Sequence, residues 1–402
     1  MNAANSPDPQ FIENIIAGLA YWQAQTAELD DRAISQLDAE RQNLYRIVQY
    51  GLELPQTWRD TAVVILQSFN FVERRGYWRE WIPVLEKAIA ESDEEYSPVK
   101  FRLLNQLGQL YRFVMQWPPA LAAHEAAETI ARQLENEQML AESHCHLSEL
   151  YLRQRQYDKA EQYGLAALNR FTKVGAPERW LAVTLSTLGE LARFRGNFAL
   201  AEERLFQAIS HWRLLNEPVR IARALSDLAV TFLVAEKLER AERCLTEVAA
   251  LLEPTGYELD KVMVQINFGL LHFKQESWIE AELAFRKADS SYLRRSPHIY
   301  YRALVANNFG NVLLKQGRLA EAASCLQDAI SLWRQANDNL ELGNTLGTLA
   351  ETLVAQEQYT DAMPLYEEAI TLLSDFPDDA RAKELQEKFL GQRKATIIKA
   401  KS

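Results

Sequence analysis

The stretch NNFGNVLLKQGRLAEAASCLQDAI, Asn307 to Ile330, decides the fold of this chain. It reads as two amphipathic helices around a tight turn, Lys315-Gln316-Gly317-Arg318. Gly310 lies in the first helix and Ala322 in the second, with Leu326 and Ala329 one and two turns later. Working outward from Gly310, equivalent positions fall at Phe69, Gly108, Ser148, Gly189, Ala229, Gly269 and Ala350, about 40 residues apart. Twelve residues after each anchor comes Trp81, Ala120, Ala160, Ala201, Ala241, Ala281, Ala322 and Ala362. Nine residues after comes a large side chain: Trp78, Trp117, Tyr157, Phe198, Leu238, Trp278, Leu319 and Tyr359. Self-similarity at a fixed period of this size marks a solenoid of stacked helical hairpins.

Each column has a physical reason. Antiparallel helices approach closely only where facing residues are small, which the anchor and the later alanine supply. The large residue at plus nine fills the gap between neighbouring hairpins. One hairpin cannot bury that face alone, so stacking is obligatory. Composition agrees: Gly (15) and Pro (13) are scarce, and 48% of the 402 residues are hydrophobic.

These columns resemble the tetratricopeptide repeat family. Leu188-Gly189, Ala201, Leu205 and Ala208 form one clear copy, and Phe309-Gly310, Ala322, Leu326 and Ala329 a second. The resemblance covers roughly residues 62 to 376 in eight copies. It implies an all-α, right-handed superhelix of about eight helix pairs. Two departures stand out. The unit is near 40 residues rather than the usual 34, so helices or linkers are longer. The family's late proline is mostly missing, Pro218 being an exception.

The expected organisation is an N-terminal helical segment (1–56), the array (57–376), and a capping helix with a basic tail (377–402). The first eight residues are expected to be disordered. Helices are expected over Phe11 to Glu28, ended by Asp30-Asp31, and over Ile34 to Leu52. The cap is expected to run from Ala380 to about Leu390, followed by a solvated tail carrying Arg393, Lys394, Lys399 and Lys401. The Leu37-Asp38-Ala39-Glu40 run with Asn43-Leu44, together with Gly76-Tyr77-Trp78, resembles the junction before the repeats in bacterial nucleotide-switch (STAND-type) signal-transduction ATPases. Such an ATPase needs a GxxxxGK[ST] phosphate loop, and the sequence has none. The resemblance therefore implies a sensor array without its motor. The start at Met1 favours a stand-alone relative over a fragment.

The family's concave surface is lined by the first helix of each pair. Carried residue by residue, the resemblance offers Arg102, Asn105, Gln109 and Arg112, then Glu149, then Glu190 and Arg193, then Arg223. Asn307, Asn308, Asn311 and Asn344 follow, and Met263, Ile266, Leu270 and Phe273 form an apolar patch between them. Asn307 and Asn311 are one turn apart, so both amides could grip an extended peptide backbone. The competing reading is that such asparagines tie neighbouring repeats together.

Other chemistries are disfavoured. A net charge of −11 and a pI of about 5.3 argue against nucleic acid. Cys145, Cys244 and Cys325 form no metal or disulfide pattern, and His144-Cys145-His146 point apart around a helix. Glu94-Glu95 and Asp378-Asp379 read as linker and helix-cap acids. No apolar run approaches the ~18 residues of a membrane span, and the N-terminus lacks a signal peptide's regions. No catalytic constellation or cofactor motif stands out. The expectation is a cytoplasmic, non-enzymatic scaffold or adaptor that takes a protein or peptide. The alternative is a regulatory sensor whose curvature changes on binding a peptide or small ligand. An aspartyl-phosphate phosphatase with N-terminal helices is a third class, but its catalytic glutamine cannot be placed.

Overall fold

The computed structural model describes residues 8–27, 29, 31–93, 97–175, 177–295 and 298–400. The chain before residue 8, Asp30, Glu94-Glu95, Ala176 and Lys401 thus lie outside the described residues. Among the described residues there are 21 α-helices and no strand. The chain divides into two compact units, residues 1–154 with 162–176, and residues 155–161 with 177–402.

The first unit contains α1 (Pro9–Thr26), α2 (Asp31–Ala39), α3 (Arg41–Leu52), α4 (Trp58–Arg75), α5 (Trp78–Ala90), α6 (Ser97–Phe113), α7 (Trp117–Gln133), α8 (Glu137–Arg153) and most of α9 (Tyr157–Val174). Its core joins Leu19, Leu44, Trp58, Phe71 and Trp81 with Leu103 and Leu110. The helix expected over Ile34–Leu52 is broken at Glu40. The break is held from the next hairpin. The Tyr77 hydroxyl donates to Asp38, and Arg75 lies 3.7 Å from the same carboxylate. Arg41, just past the break, covers the Tyr77 ring at 4.2 Å. The two motif halves, around Asp38 and around Tyr77, therefore touch in space.

The second unit holds α10 (Glu178–Phe194), α11 (Phe198–Leu214), α12 (Pro218–Val234), α13 (Leu238–Leu252), α14 (Glu258–Lys274), α15 (Trp278–Ala288), α16 (Ser291–Arg295), α17 (Ile299–Lys315), α18 (Leu319–Ala336), α19 (Asn339–Ala355), α20 (Tyr359–Ser374) and α21 (Ala380–Lys399). The pairs α10/α11, α12/α13, α14/α15, α17/α18 and α19/α20 are the hairpins, and the first helices touch in series along one row. The terminal helix is 20 residues long, nearly twice the expected length. Phe389 and Thr396, two turns apart, bury it, so most of the basic tail is helical.

The 40-residue unit comes from helix length. Most array helices are 17 residues, about 25 Å. Three-residue turns join many of them, which makes about 20 residues per helix and 40 per hairpin. Each turn places one residue in the left-handed region: Met115, Glu135, Arg155, Gly175, Gly196, Asn216, Glu236, Glu276, Gly317, Asn337 and Glu357. The next N–H returns to the carbonyl five residues back, as in Asn197 to Ala192 and Asp338 to Trp333. This is the Schellman end, which satisfies carbonyls the helix leaves open. Asn136, Asn197 and Asp338 then cap the following helix through their side chains.

The small-residue column works as expected, with one refinement. A Cβ on Gly310 would lie 2.7 Å from Leu326 and 3.4 Å from the Ala322 carbonyl oxygen. The anchor thus admits both the backbone at plus twelve and the leucine four residues further on. Ion pairs fix the spacing between repeats of this unit. Glu202 takes Arg240 at 2.6 Å and Lys237 at 2.9 Å from the next repeat. Glu282 takes Arg318 at 3.0 Å and Gln316 at 2.9 Å. Burial pushes the Glu282 carboxyl up, but the bonds from Gln316, Arg286 and Arg318 win and bring it to about 2.

Gly347 tests the packing of the terminal helix, because its Cβ would sit 2.1 Å from the Phe389 ring. Gly347→Ala should therefore lower the free energy of urea unfolding by about 1–3 kcal/mol, with helicity at 222 nm retained. An unchanged midpoint would show that α21 does not pack on α19 in this way.

Candidate functional site

In the first unit, Asn105, Arg112 and Glu149 lie in one polar cluster around His124 and His146. Asn105 is buried, and its Oδ1 meets His124 Nδ1 at 3.1 Å. His124 stacks on His146 with ring centroids 5.2 Å apart. His124 occupies the position sixteen after the anchor, where Leu205, Leu245 and Leu326 stand in other copies. A histidine has replaced a core leucine there, and Asn105 supplies the partner that a buried imidazole needs. Arg112 lies 3.3 Å from Glu149 and over the Phe113 ring. Gln109 is half-buried, and Arg102 is exposed. Among the described residues, no group of three or more His, Cys, Asp or Glu could hold a metal ion.

In the second unit, the row of first helices carries the remaining residues. Glu190 is buried and lies 3.6 Å from Arg193, which covers Phe194. Arg223 makes a two-pronged pair with buried Asp260, at 2.7 and 3.0 Å. Ile266 belongs to the core with Phe285 and Val305, so it is not part of an open apolar patch. Met263, Leu270 and Phe273 are half-buried. Phe273 packs edge-on against Trp278, the residue at plus nine.

The asparagines divide their work. Asn307 is 1% exposed, and its Oδ1 accepts the Thr345 hydroxyl of the next repeat at 3.0 Å. Asn311 Nδ2 donates to the Asn307 carbonyl at 3.0 Å within its own helix. The pair expected to present two amides is thus occupied, one of them by an inter-repeat tie. Asn308 Oδ1 accepts from Asn307 at 3.4 Å, but Asn308 Nδ2 is buried with no hydrogen-bond partner. Asn267 stands at the equivalent position of the preceding repeat, on α14, which touches α17. Asn344 is buried and donates to Glu341.

The sequence reading missed a second cluster. Arg155 lies 3.5 Å from Asp338 and 3.4 Å from Asp379, and Tyr157 donates its hydroxyl to Asp379 at 2.5 Å. Arg381 pairs with Glu341 at 2.5 Å, and all ten residues from 341 to 350 are buried. The only sequence signal was Asp378-Asp379, read as linker or cap acids. Asp338 and Asp379 do cap α19 and α21, accepting from Glu341 N and Ala382 N.

The tetratricopeptide repeat family model matches residues 139–213 and 301–375. No curated protein matches the chain by sequence. Among solved structures, a Rap protein complexed with Competence and Sporulation Factor is 17% identical with a TM-score of 0.60, covering 95% of this chain and 100% of that one. The apo form of RapI is 15% identical with a TM-score of 0.53, covering 72% of this chain and 99% of that one. NprR in complex with its cognate peptide NprX is 13% identical with a TM-score of 0.53, covering 72% and 83%. At these identities the likeness is one of fold.

The stacked histidines make the first unit sensitive to acid. Burial lowers His146 to about 4, with Glu149 opposing and Arg112 assisting, and burial lowers His124 as well. Both folded values lie below the unfolded ~6.5, so their stabilising contribution is present above pH 6.5 and is lost as pH falls through the folded values. Between pH 6.5 and 4 the His146 share is on the order of 2–3 kcal/mol. Urea unfolding should weaken over that window, and His146→Gln should flatten the slope. An equal slope in wild type and variant would place the acid sensitivity elsewhere.

Proposed function

The chain is a tetratricopeptide-repeat protein, and from that premise we propose that it is a non-enzymatic module binding an extended peptide or protein segment. The segment lies along the concave row of first helices in the second unit, within a right-handed superhelix. The observation that carries this reading is the unpartnered, buried Nδ2 of Asn308, with Asn267 at the same register one repeat earlier. A buried amide donor without an acceptor is costly, and a rotation of the Asn308 side chain toward the groove would let a passing backbone carbonyl satisfy it. Half-buried Leu270 and Phe273 supply apolar contact for the segment's side chains. Arg223 and Arg193 are engaged by Asp260 and Glu190, so these two arginines do not favour an acidic C-terminus as the ligand. NprR, which is similar in fold, is solved in complex with its cognate peptide NprX, which supports a peptide as the ligand class. The net charge of −11 disfavours nucleic acid. No described helix is long and apolar enough to cross a membrane, and a cytoplasmic location is part of the proposal.

The second reading, a sensor module that changes curvature, is favoured by the Arg155 cluster, which joins distant parts of one unit. Both readings use the same surface and differ in what binding does to it.

Peptides captured from a cell lysate and identified by mass spectrometry test the site. Asn308→Ala should weaken the captured peptide about tenfold, the worth of roughly one hydrogen bond. Asn307→Ala should act mainly on stability through its tie to Thr345. A peptide bound equally by wild type and by an Asn267→Ala/Asn308→Ala double variant would move the binding surface elsewhere.

A further inference from the structure

Arg155 lies 183 residues before Asp338 and 224 before Asp379, yet its guanidinium reaches both. It also lies over the Phe376 ring at 5.7 Å. The first segment of the second unit is thereby shut against that unit's last helices. A second contact marks the same closure, since a Cβ on Gly196 would lie 3.5 Å from the Ala380 Cβ.

Three features separate this contact from ordinary packing. The Arg155 backbone is left-handed, at φ 59°, a conformation that glycine adopts more readily than arginine. Met115, Glu135 and Glu236 take the same conformation in other turns, so the backbone does not select arginine, and what sets this turn apart is the Arg155 side chain and its partners. Asp338 and Asp379 already cap α19 and α21, so neither helix needs Arg155 in order to form. Glu341 adds a third carboxylate beside them, answered by Arg381. Without Arg155, two acidic caps would face each other in a buried site with no cation between them, and removing one partner of a buried charge pair is strongly unfavourable.

We propose that Arg155 is a charge latch: its hold on Asp338 and Asp379 keeps the second unit closed, and its release opens that unit. Tyr157, on the same segment, adds a neutral hydroxyl bond to Asp379, so Arg155 is the charged part of a closure that it shares with one hydrogen bond. The inference does not depend on which ligand the protein binds.

The test uses the full chain carrying Gly196→Cys and Ala380→Cys, whose Cβ separation suits a disulfide. The Gly196 backbone is left-handed, but turns of the same kind elsewhere carry Glu and Asn. Cys145 is buried, and burial raises the Cys244 thiol to about 11 and Cys325 as well, so the native thiols react slowly. Under mild oxidation the pair should crosslink rapidly in the otherwise unaltered chain. Arg155→Gly, which suits the backbone, and Arg155→Met, which keeps the stem without the charge, should each slow crosslinking at least tenfold, with circular dichroism unchanged. Arg155→Lys should be intermediate. Equal rates in the Arg155→Met and unaltered chains would overturn the latch. Absence of crosslinking in the unaltered chain would show that the closed form is not populated and would also overturn it.

Discussion

The structure depends on the close approach of two helices at a small residue. Where Gly310 meets Leu326 and the Ala322 carbonyl, there is no room for a β-carbon. That contact sets the distance between paired helices, and each hairpin then exposes an apolar flank that only another hairpin can cover. Left-handed turns at roughly 20-residue intervals keep successive pairs in register. Glu202 and Glu282 each tie one repeat to the start of the next. Periodicity, turn chemistry and inter-repeat charge all specify one arrangement, and such agreement between levels is what makes a sequence fold to a single state.

Much of this was legible in the sequence because it is local or periodic. The anchor column, the alanines at plus twelve and the large residues at plus nine repeat, and repetition can be counted. Less periodic details were not visible. The break at Glu40 follows from Tyr77 and Arg75 gripping Asp38, residues in another hairpin. The length of α21 depends on Phe389 and Thr396 finding a surface to cover, which the basic tail obscured.

Asn307, Asn308 and Asn311 were all read as lining residues, but their differing hydrogen-bond states were not legible in the sequence. Asn307 and Asn308 are neighbours, about 100° apart around the helix, and both are amides. Which of them is free depends on Thr345, 38 residues later, which captures Asn307. The Arg155 cluster was out of reach for a related reason. Asp379 was read as a linker or cap acid in the sequence, Asp338 carried no signal, and both are helix caps in the structure. Nothing local marks them as partners of an arginine more than 180 residues away. Both units also use the first-helix positions to bury polar groups, as the Asn105–His124 contact shows. A polar side chain at a lining position is therefore no guarantee of an open binding surface.

The proposed binding surface is the first-helix row of the second unit. Hydrogen–deuterium exchange on the full chain, with and without the peptide recovered from lysate, tests this most directly. Slower exchange across residues 262–274 and 299–315, with the outer helices 238–252 and 319–336 unchanged, is the predicted result. Protection confined to those outer helices, or to residues 9–90, would contradict it.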